Sequence, residues 1–186
     1  MDLDLCYPAV SDLRARARRR VPHFAFEYLD SGTGAELQVA RNRAALDAIW
    51  FRPEILTGHV DPDLSTPFLG RDFARPFGIA PIGMSGAIWP GAEAALARFA
   101  ARARLPFCLS SVATRLPEEI GPLAGEQGWF QLYTPADPDI RRDILKRARD
   151  AGFTKLVLTV DVPEDSRRER QRRANVALPL RITPGM

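Results

Sequence analysis

Two short apolar runs, Trp129-Phe130-Gln131-Leu132-Tyr133 and Lys155-Leu156-Val157-Leu158-Thr159-Val160-Asp161, constrain this chain more than any other feature. Each ends in polar residues and is followed by turn chemistry. Such a run fits a strand buried on both faces, with hydrogen-bonding side chains at its C-terminal end. Two earlier runs have the same form: Phe77-Gly78-Ile79-Ala80-Pro81-Ile82-Gly83-Met84 and Pro106-Phe107-Cys108-Leu109-Ser110-Ser111. The four lie roughly 25 residues apart, close to the ~30 residues of a βαβ unit. The pattern predicts a parallel barrel whose strand ends carry a cofactor.

A chain of 186 residues can bury a core and suits one domain or a little more. No apolar run approaches the ~20 residues that span a bilayer. Met1-Asp2-Leu3-Asp4-Leu5-Cys6 has neither the basic region nor the apolar segment of a secretion signal, so a cytoplasmic location is expected. Cys6 and Cys108 are too few for a disulfide framework or a metal site, and Cys108 reads as a small buried hydrophobe.

The net charge is +3 and the pI about 9.2. Lys146 and Lys155 are the only lysines, so nearly all the positive charge is arginine. Most of it is spread beside Asp and Glu, as in Arg147-Ala148-Arg149-Asp150, which describes solvated helix faces and not a nucleic-acid track. Only Arg14 to Arg20 and Arg167 to Arg173 are dense enough to attract an anionic partner. The second of these would be the surface for a peripheral contact with anionic lipid.

Helices come first along the chain. Ser11 is the expected N-cap of a basic helix ending near Arg20, and Pro22 fits the first turn of a second helix bearing Phe24, Phe26 and Leu29. Ser31-Gly32 ends it, with Gly32 available for a left-handed residue. Thr33-Gly34-Ala35-Glu36 has capping-box spacing, with Leu37, Ala40 and Ala44 following on one face. From Phe51-Arg52-Pro53 to about Gly70 the residues predict irregular or edge structure.

The βα alternation starts at Pro76. Pro90 opens a helix with Leu96, Phe99, Ala100 and Ala103 expected inward. Pro117-Glu118-Glu119 opens the next, since carboxylates favour a helix N-terminus. Asp137-Pro138 opens a third, bearing Ile140, Ile144, Leu145 and Ala148 and stopped by Gly152. Four βα units are half of an eight-stranded barrel, which typically needs about 250 residues. A flavodoxin-like sheet competes, but no Gly-rich phosphate loop follows the first strand. The expected fold is therefore α/β: the first half of a (β/α)8 barrel after N-terminal helices.

Ala80-Pro81-Ile82-Gly83, Leu109-Ser110-Ser111, Trp129-Phe130-Gln131-Leu132-Tyr133 and Leu158-Thr159-Val160-Asp161, followed by Arg167-Arg168-Glu169, occur in that order. Together with Phe26-Glu27-Tyr28-Leu29-Asp30-Ser31-Gly32 and Phe51-Arg52-Pro53, they resemble the FMN-dependent α-hydroxy acid oxidases and dehydrogenases. The resemblance runs from about Ser11 to Pro184, and the stretch Gly83 to Pro90 is similar to the mandelate and lactate dehydrogenase branch. It implies a layout of three parts. Residues 1–75 would be a helical segment and barrel lead-in, 76–165 strands one to four, and 166–186 the start of an Arg-rich mobile loop.

The resemblance also implies roles. Pro81, Ile82 and Gly83 would place backbone against the flavin ring of FMN. Ser110, Gln131 and Thr159 would hydrogen-bond the ring's polar edge. Tyr28, Tyr133 and Arg168 would meet the carboxylate and hydroxyl of a small L-2-hydroxy acid. The residue types suit this chemistry: a flavin wants close backbone and a few amide or hydroxyl partners, and Arg clamps a carboxylate at two points. Plainer readings stand beside these. Tyr28 suits a half-buried helix tyrosine, Ser110 and Thr159 can satisfy themselves on backbone, and Arg168 lies in a charge run. Gln131, between Phe130 and Leu132, makes an odd core residue without a polar partner.

The family's catalytic His, its flavin-facing Lys and its phosphate site would lie in a C-terminal half, so this chain contains no expected catalytic residue. His23 and His59 read as surface or capping residues. Ser166 stands where the family pattern has Gly, and Gln171 where it has Asp. The resemblance further implies a homo-oligomer, a tetramer, and a partner in the missing half, on the same or a separate chain. The rival reading is a catalytically inactive half-barrel or anion-binding module.

Overall fold

The computed structural model describes residues 2–56, 58–160 and 166–174. In chain order the elements are α1 (Leu3–Cys6), α2 (Val10–Arg20), α3 (His23–Asp30), α4 (Leu37–Asp47), β1 (Thr66–Phe68), β2 (Arg71–Phe73), α5 (Ser85–Ile88) and α6 (Ala92–Ala103). They continue with β3 (Phe107–Ser110), α7 (Pro117–Ala124), a 3-10 turn, β4 (Gly128–Tyr133), α8 (Pro138–Asp150), β5 (Lys155–Thr159) and α9 (Glu169–Arg173). The chain divides into two compact units, Met1–Gly58 with Glu164–Met186, and His59–Pro163.

In the first unit local chemistry sets the helix ends, though not always as expected. Asp12 accepts from the Ala9 N–H (3.0 Å), so α2 starts ahead of Ser11, and Pro22 is the N-cap of α3. Ser31, not a left-handed glycine, closes α3: its N–H and its hydroxyl both donate to the Glu27 carbonyl (3.2 and 2.5 Å). Gly32 is needed for space, because a Cβ there would lie 2.5 Å from Val39 Cγ2. The expected capping box at Thr33 does not form. Glu36 is itself the left-handed N-cap of α4 (φ 61°), and its carboxylate accepts from the Gly32 N–H (2.8 Å). No residue of α4 is buried, so its apolar stripe is left uncovered within this unit.

The second unit holds the parallel sheet, in the order β3-β4-β5. The expected first strand over residues 77–84 reduces to one parallel bridge, Ile79 to Phe107. Ile79 donates to the Pro106 carbonyl (2.8 Å) and accepts from the Cys108 N–H (3.0 Å). Two residues on, Pro81 has no N–H to continue a ladder. β3 is buried on both faces and β4 nearly so, as expected. β5 is not: Leu156 and Leu158 are each 53% exposed, because among the described residues nothing covers its outer face. Asp161, the expected end of that strand, lies outside the described residues, as do residues 175–186 of the expected loop.

Helices α6, α7 and α8 cover the sheet around Ala97, Ala100, Leu109, Ile120, Phe130 and Leu132. Phe99 is half exposed, against expectation: it lies two residues (about 200°) round the helix from Ala97. Ile140 is also exposed, while Ile144 and Leu145 are partly buried and Ala148 buried, so α8 meets the core only toward its C-terminal end. Its start is as expected, with Asp137 accepting from the N–H groups of Asp139 (2.7 Å) and Ile140 (3.4 Å). The hairpin β1–β2 turns through Leu69 and Gly70, both at positive φ, and packs Phe68 and Phe73 against Trp129 (ring centroids 5.6 and 6.1 Å).

Candidate functional site

Parallel register brings three of the expected side chains into a row. Ser110 pairs with Gln131, and Thr159 pairs with Tyr133, two residues beyond Gln131 and so on the same face. The Ser110 hydroxyl donates to Gln131 Oε1 (2.9 Å), and Gln131 Nε2 donates to Thr159 Oγ1 (2.8 Å). Ser110 and Gln131 are 4% and 2% exposed, so these are buried polar groups with the partners burial demands. A primary amide has two N–H groups, and only one of Gln131's is committed to Thr159. Thr159 accepts that bond and keeps its own hydroxyl proton. The row therefore retains donors at the C-terminal ends of β4 and β5.

Nearer the N-terminal ends the same sheet face turns apolar. Cys108, Trp129 and Val157 help line a cavity of about 400 Å³, with Ile79, Phe68 and Phe73 around them. Burial pushes the Cys108 thiol up to about 12, which keeps it an inert, protonated hydrophobe. Layered apolar side chains beneath a polar row at the strand C-termini are the interior of a (β/α)8 barrel.

The segment expected to offer backbone is anchored by a residue not anticipated from sequence. Pro81 and Ile82 are exposed and Gly83 half-buried, and Met84 N–H donates to the Val112 carbonyl (2.9 Å) in a left-handed turn (φ 50°). Glu93, 2% exposed, accepts through Oε1 from Gly86 N–H (3.0 Å), Thr114 N–H (3.0 Å) and the Thr114 hydroxyl (2.7 Å). Burial works to raise its pKa, but the bonds from Thr114 and the backbone outweigh it and hold the carboxyl below its ordinary range. Glu93 thus ties the turn after Ile79 to the loop after β3. Gly86 leaves room for this: a Cβ would sit 2.0 Å from Thr114 Oγ1. The available signal was Glu93's place on the stripe with Ala97 and Ala100, the i, i+4, i+7 positions of a buried face.

Tyr28 and Arg168 belong to the first unit; Tyr133, 43% exposed, stands at the end of β4 in the second and donates its N–H to Ser111 Oγ (3.1 Å). Tyr28 is half-buried on α3. Arg168 is exposed, is the N-cap of α9 and donates from Nε to Ser166 Oγ (3.3 Å). Beside Tyr28 and Arg168, within the first unit, lies an ionic cluster. Arg170 pairs with Glu27, Asp30 and Glu36, and Arg14 pairs with Asp30 at 2.5 and 2.9 Å. His23 and His59 are both exposed.

Hydrogen bonds from Arg14, opposed by burial and reinforced by Arg170, lower the Asp30 pKa from 3.8 to about 2. A depressed carboxylate stabilises the fold above its unfolded pKa and loses that contribution as pH falls through the folded value. About 2 kcal/mol should therefore be lost between pH 4 and about 2. Urea melts at pH 5 and pH 2.5 are expected to show this loss in the parent chain and a smaller one in Asp30→Asn. Equal losses in both would contradict it.

The parallel sheet with its layered inner face first defines a class, the partial (β/α)8 barrel. The comparisons with known proteins then narrow it. Residues 17–186 match the family model described as FMN-dependent dehydrogenase. The L-lactate dehydrogenase of Pseudomonas syringae pv. syringae (strain B728a) is 37% identical over 182 residues, covering 96% of this chain and 48% of that enzyme. That of Xanthomonas campestris pv. campestris (strain 8004) is 39% identical over 171 residues, covering 92% and 44%. A crystal structure of mandelate oxidase superposes with a TM-score of 0.84 at 35% identity, covering 93% of this chain and 50% of that one. A mutant of the active chimera of (S)-mandelate dehydrogenase also gives 0.84, at 33% identity, covering 91% and 48%. The chain belongs to the FMN-dependent dehydrogenase family and has the fold of the first half of its barrel. FMN is the cofactor of that family, and the chain spans about half the length of the relatives it matches. Among the described residues no helix is long and apolar enough to cross a membrane.

Proposed function

We propose that this chain is the N-terminal half of an enzyme that oxidises a small L-2-hydroxy acid, of lactate or mandelate type, to the 2-oxo acid. The observation that carries this reading is the hydrogen-bonded Ser110–Gln131–Thr159 row, its first two members buried, at three adjacent strand ends. Its residual N–H and O–H donors suit the polar edge of a flavin ring, and Pro81, Ile82 and Gly83 would supply the close backbone. FMN, when bound, supplies the two-electron acceptor. Arg168 would grip the substrate carboxylate at two points, and the Tyr28 and Tyr133 hydroxyls would help hold the carboxylate and the 2-hydroxyl in place. The relatives named as L-lactate dehydrogenases and mandelate oxidase support the substrate class.

The catalytic His is assigned to a C-terminal half, on the same or a separate chain, so residues 1–186 alone are proposed to be inactive. The open edge at β5, with Leu156 and Leu158 uncovered, supports a partner there. A homo-oligomer, tetrameric by resemblance, is proposed for the whole enzyme. The proposed location is the cytoplasm, with Arg167 to Arg173 as the surface for anionic lipid at the membrane's inner face. The test is to assay lactate and mandelate oxidation with an artificial acceptor, for the chain alone and mixed with a C-terminal half. Turnover is expected only in the mixture, together with flavin absorbance. A colourless, inactive mixture would support a catalytically inactive half-barrel instead, and turnover by the chain alone would overturn the assignment of the His.

A further inference from the structure

Arg170 spends its whole guanidinium on three separate carboxylates. Nε donates to Glu27 Oε2 (2.6 Å), Nη2 to Asp30 Oδ2 (2.9 Å) and Nη1 to Glu36 Oε1 (3.1 Å). Glu27 and Asp30 flank Tyr28 on α3. Glu27 is 6% exposed, and an unpaired carboxylate so deeply buried is strongly destabilising. Glu27 therefore keeps its close guanidinium partner only while α9 is docked on α3, whereas Asp30 is also held by Arg14. The neighbouring Gln171 adds a second tie, donating from Nε2 to the Tyr28 carbonyl (3.1 Å). That carbonyl is among the last four of α3, which have no partner within the helix. The Gly34 N–H makes a third tie to the Arg167 carbonyl (2.8 Å).

We propose that Arg170 and Gln171 are positioning residues that fix the segment carrying Arg168 to the helix carrying Tyr28, and so set how this pair meets the substrate carboxylate. The inference rests on the reading of Tyr28 and Arg168 as substrate contacts. The side chains present at positions 171 and 166 serve it. An ionised Asp at position 171 has no proton to donate to the Tyr28 carbonyl and would add a negative charge beside Glu27 and Asp30. A Gly at position 166 would lack the hydroxyl that accepts from Arg168 Nε (3.3 Å). Lysine at position 170 would keep the charge, but it is a point charge on a flexible stem and loses the planar fork that reaches three acceptors.

The clamp is tested first in the chain itself, by hydrogen–deuterium exchange of Arg170→Lys and Gln171→Asp. Exchange should quicken by about tenfold in residues 169–174 and 31–34, with the β3–β5 amides unchanged as the control for folding. Unchanged exchange in both segments overturns the clamp. Its purpose is tested with the C-terminal half present. Arg170→Lys should raise KM for the hydroxy acid about tenfold with flavin content and kcat near normal, and Arg168→Lys should lower kcat/KM by about 10- to 100-fold. If Arg170 acts through Arg168, the double variant costs no more than Arg168→Lys alone. Multiplying losses overturn the positioning role, as does a full loss for Arg168→Lys with none for Arg170→Lys. A fully active Arg168→Lys sinks the substrate reading and the positioning role together, which separates that failure from the first two.

Discussion

Gln131→Leu is expected to weaken FMN binding about 100-fold, or roughly 2.7 kcal/mol, when the chain is paired with its C-terminal half. Leucine fills much the same volume, so the sheet should still form, but the side chain loses both its acceptor and its donors. Ser110, 4% exposed, then has no acceptor for its hydroxyl, and Thr159 loses the donor that orients it. Leaving a buried polar group unpartnered costs about 1–3 kcal/mol, and here the free donor proposed to meet the flavin disappears as well. Gln127→Leu is the comparison. Among the described residues Gln127 Oε1 is buried without a hydrogen-bond partner, so its loss should change FMN affinity by less than about threefold. Flavin titration followed by absorbance reads both variants. Equal affinities for the two would remove Gln131 from the cofactor site.

A second large effect is expected at Gly121, where the question is stability. Glycine inside a helix normally costs about 1 kcal/mol relative to alanine, but Pro122 follows Gly121 and its ring disfavours a helical residue that carries a Cβ, so Gly121→Ala gains little from propensity. Packing opposes it. A Cβ on Gly121 would lie 2.0 Å from the Ala151 carbonyl oxygen and 2.9 Å from its carbon, both backbone atoms at the end of α8. Backbone cannot swing aside as a side chain can, and overpacking of this kind costs typically 1–3 kcal/mol or more. With contact this close the clash wins, for a net loss of about 3 kcal/mol and a Tm lowered by roughly 6–12 °C. Gly91→Ala serves as the contrast, since nothing lies within 4 Å of its Cβ and only its positive φ of 81° is strained. That should cost about 1–2 kcal/mol. Thermal melts showing Gly121→Ala no worse than Gly91→Ala would refute the packing argument.

Much of this architecture was legible along the chain because it rests on short-range chemistry. Asp137-Pro138 and Pro117-Glu118-Glu119 start helices by capping donors within a few residues, and Gly152 follows the end of α8 at a φ of 96°. The runs at Phe107 and Trp129 became buried parallel strands because a short apolar stretch bounded by turn residues is too brief for a helix and suits a strand covered on both faces. Gln131 within such a run already pointed to a polar partner, and Ser110 and Thr159 now stand on either side of it.

What sequence alone could not decide depended on neighbours far along the chain. Whether an apolar stripe is buried depends on what faces it, which is why Phe99 and the stripe on α4 depart from expectation. β5 has the composition of a doubly buried strand but an open outer face, since burial there needs a covering element and none lies among the described residues. Glu93 finds its acceptor role only when a loop 21 residues later folds back to it. Arg170 stood in a run of arginines with no local mark to set it apart. Its partners Glu27 and Asp30 lie 143 and 140 residues away, and only chain folding brings three carboxylates round one guanidinium. Local propensity and capping act over a few residues and can be read in order, whereas charge pairing and close packing act through space.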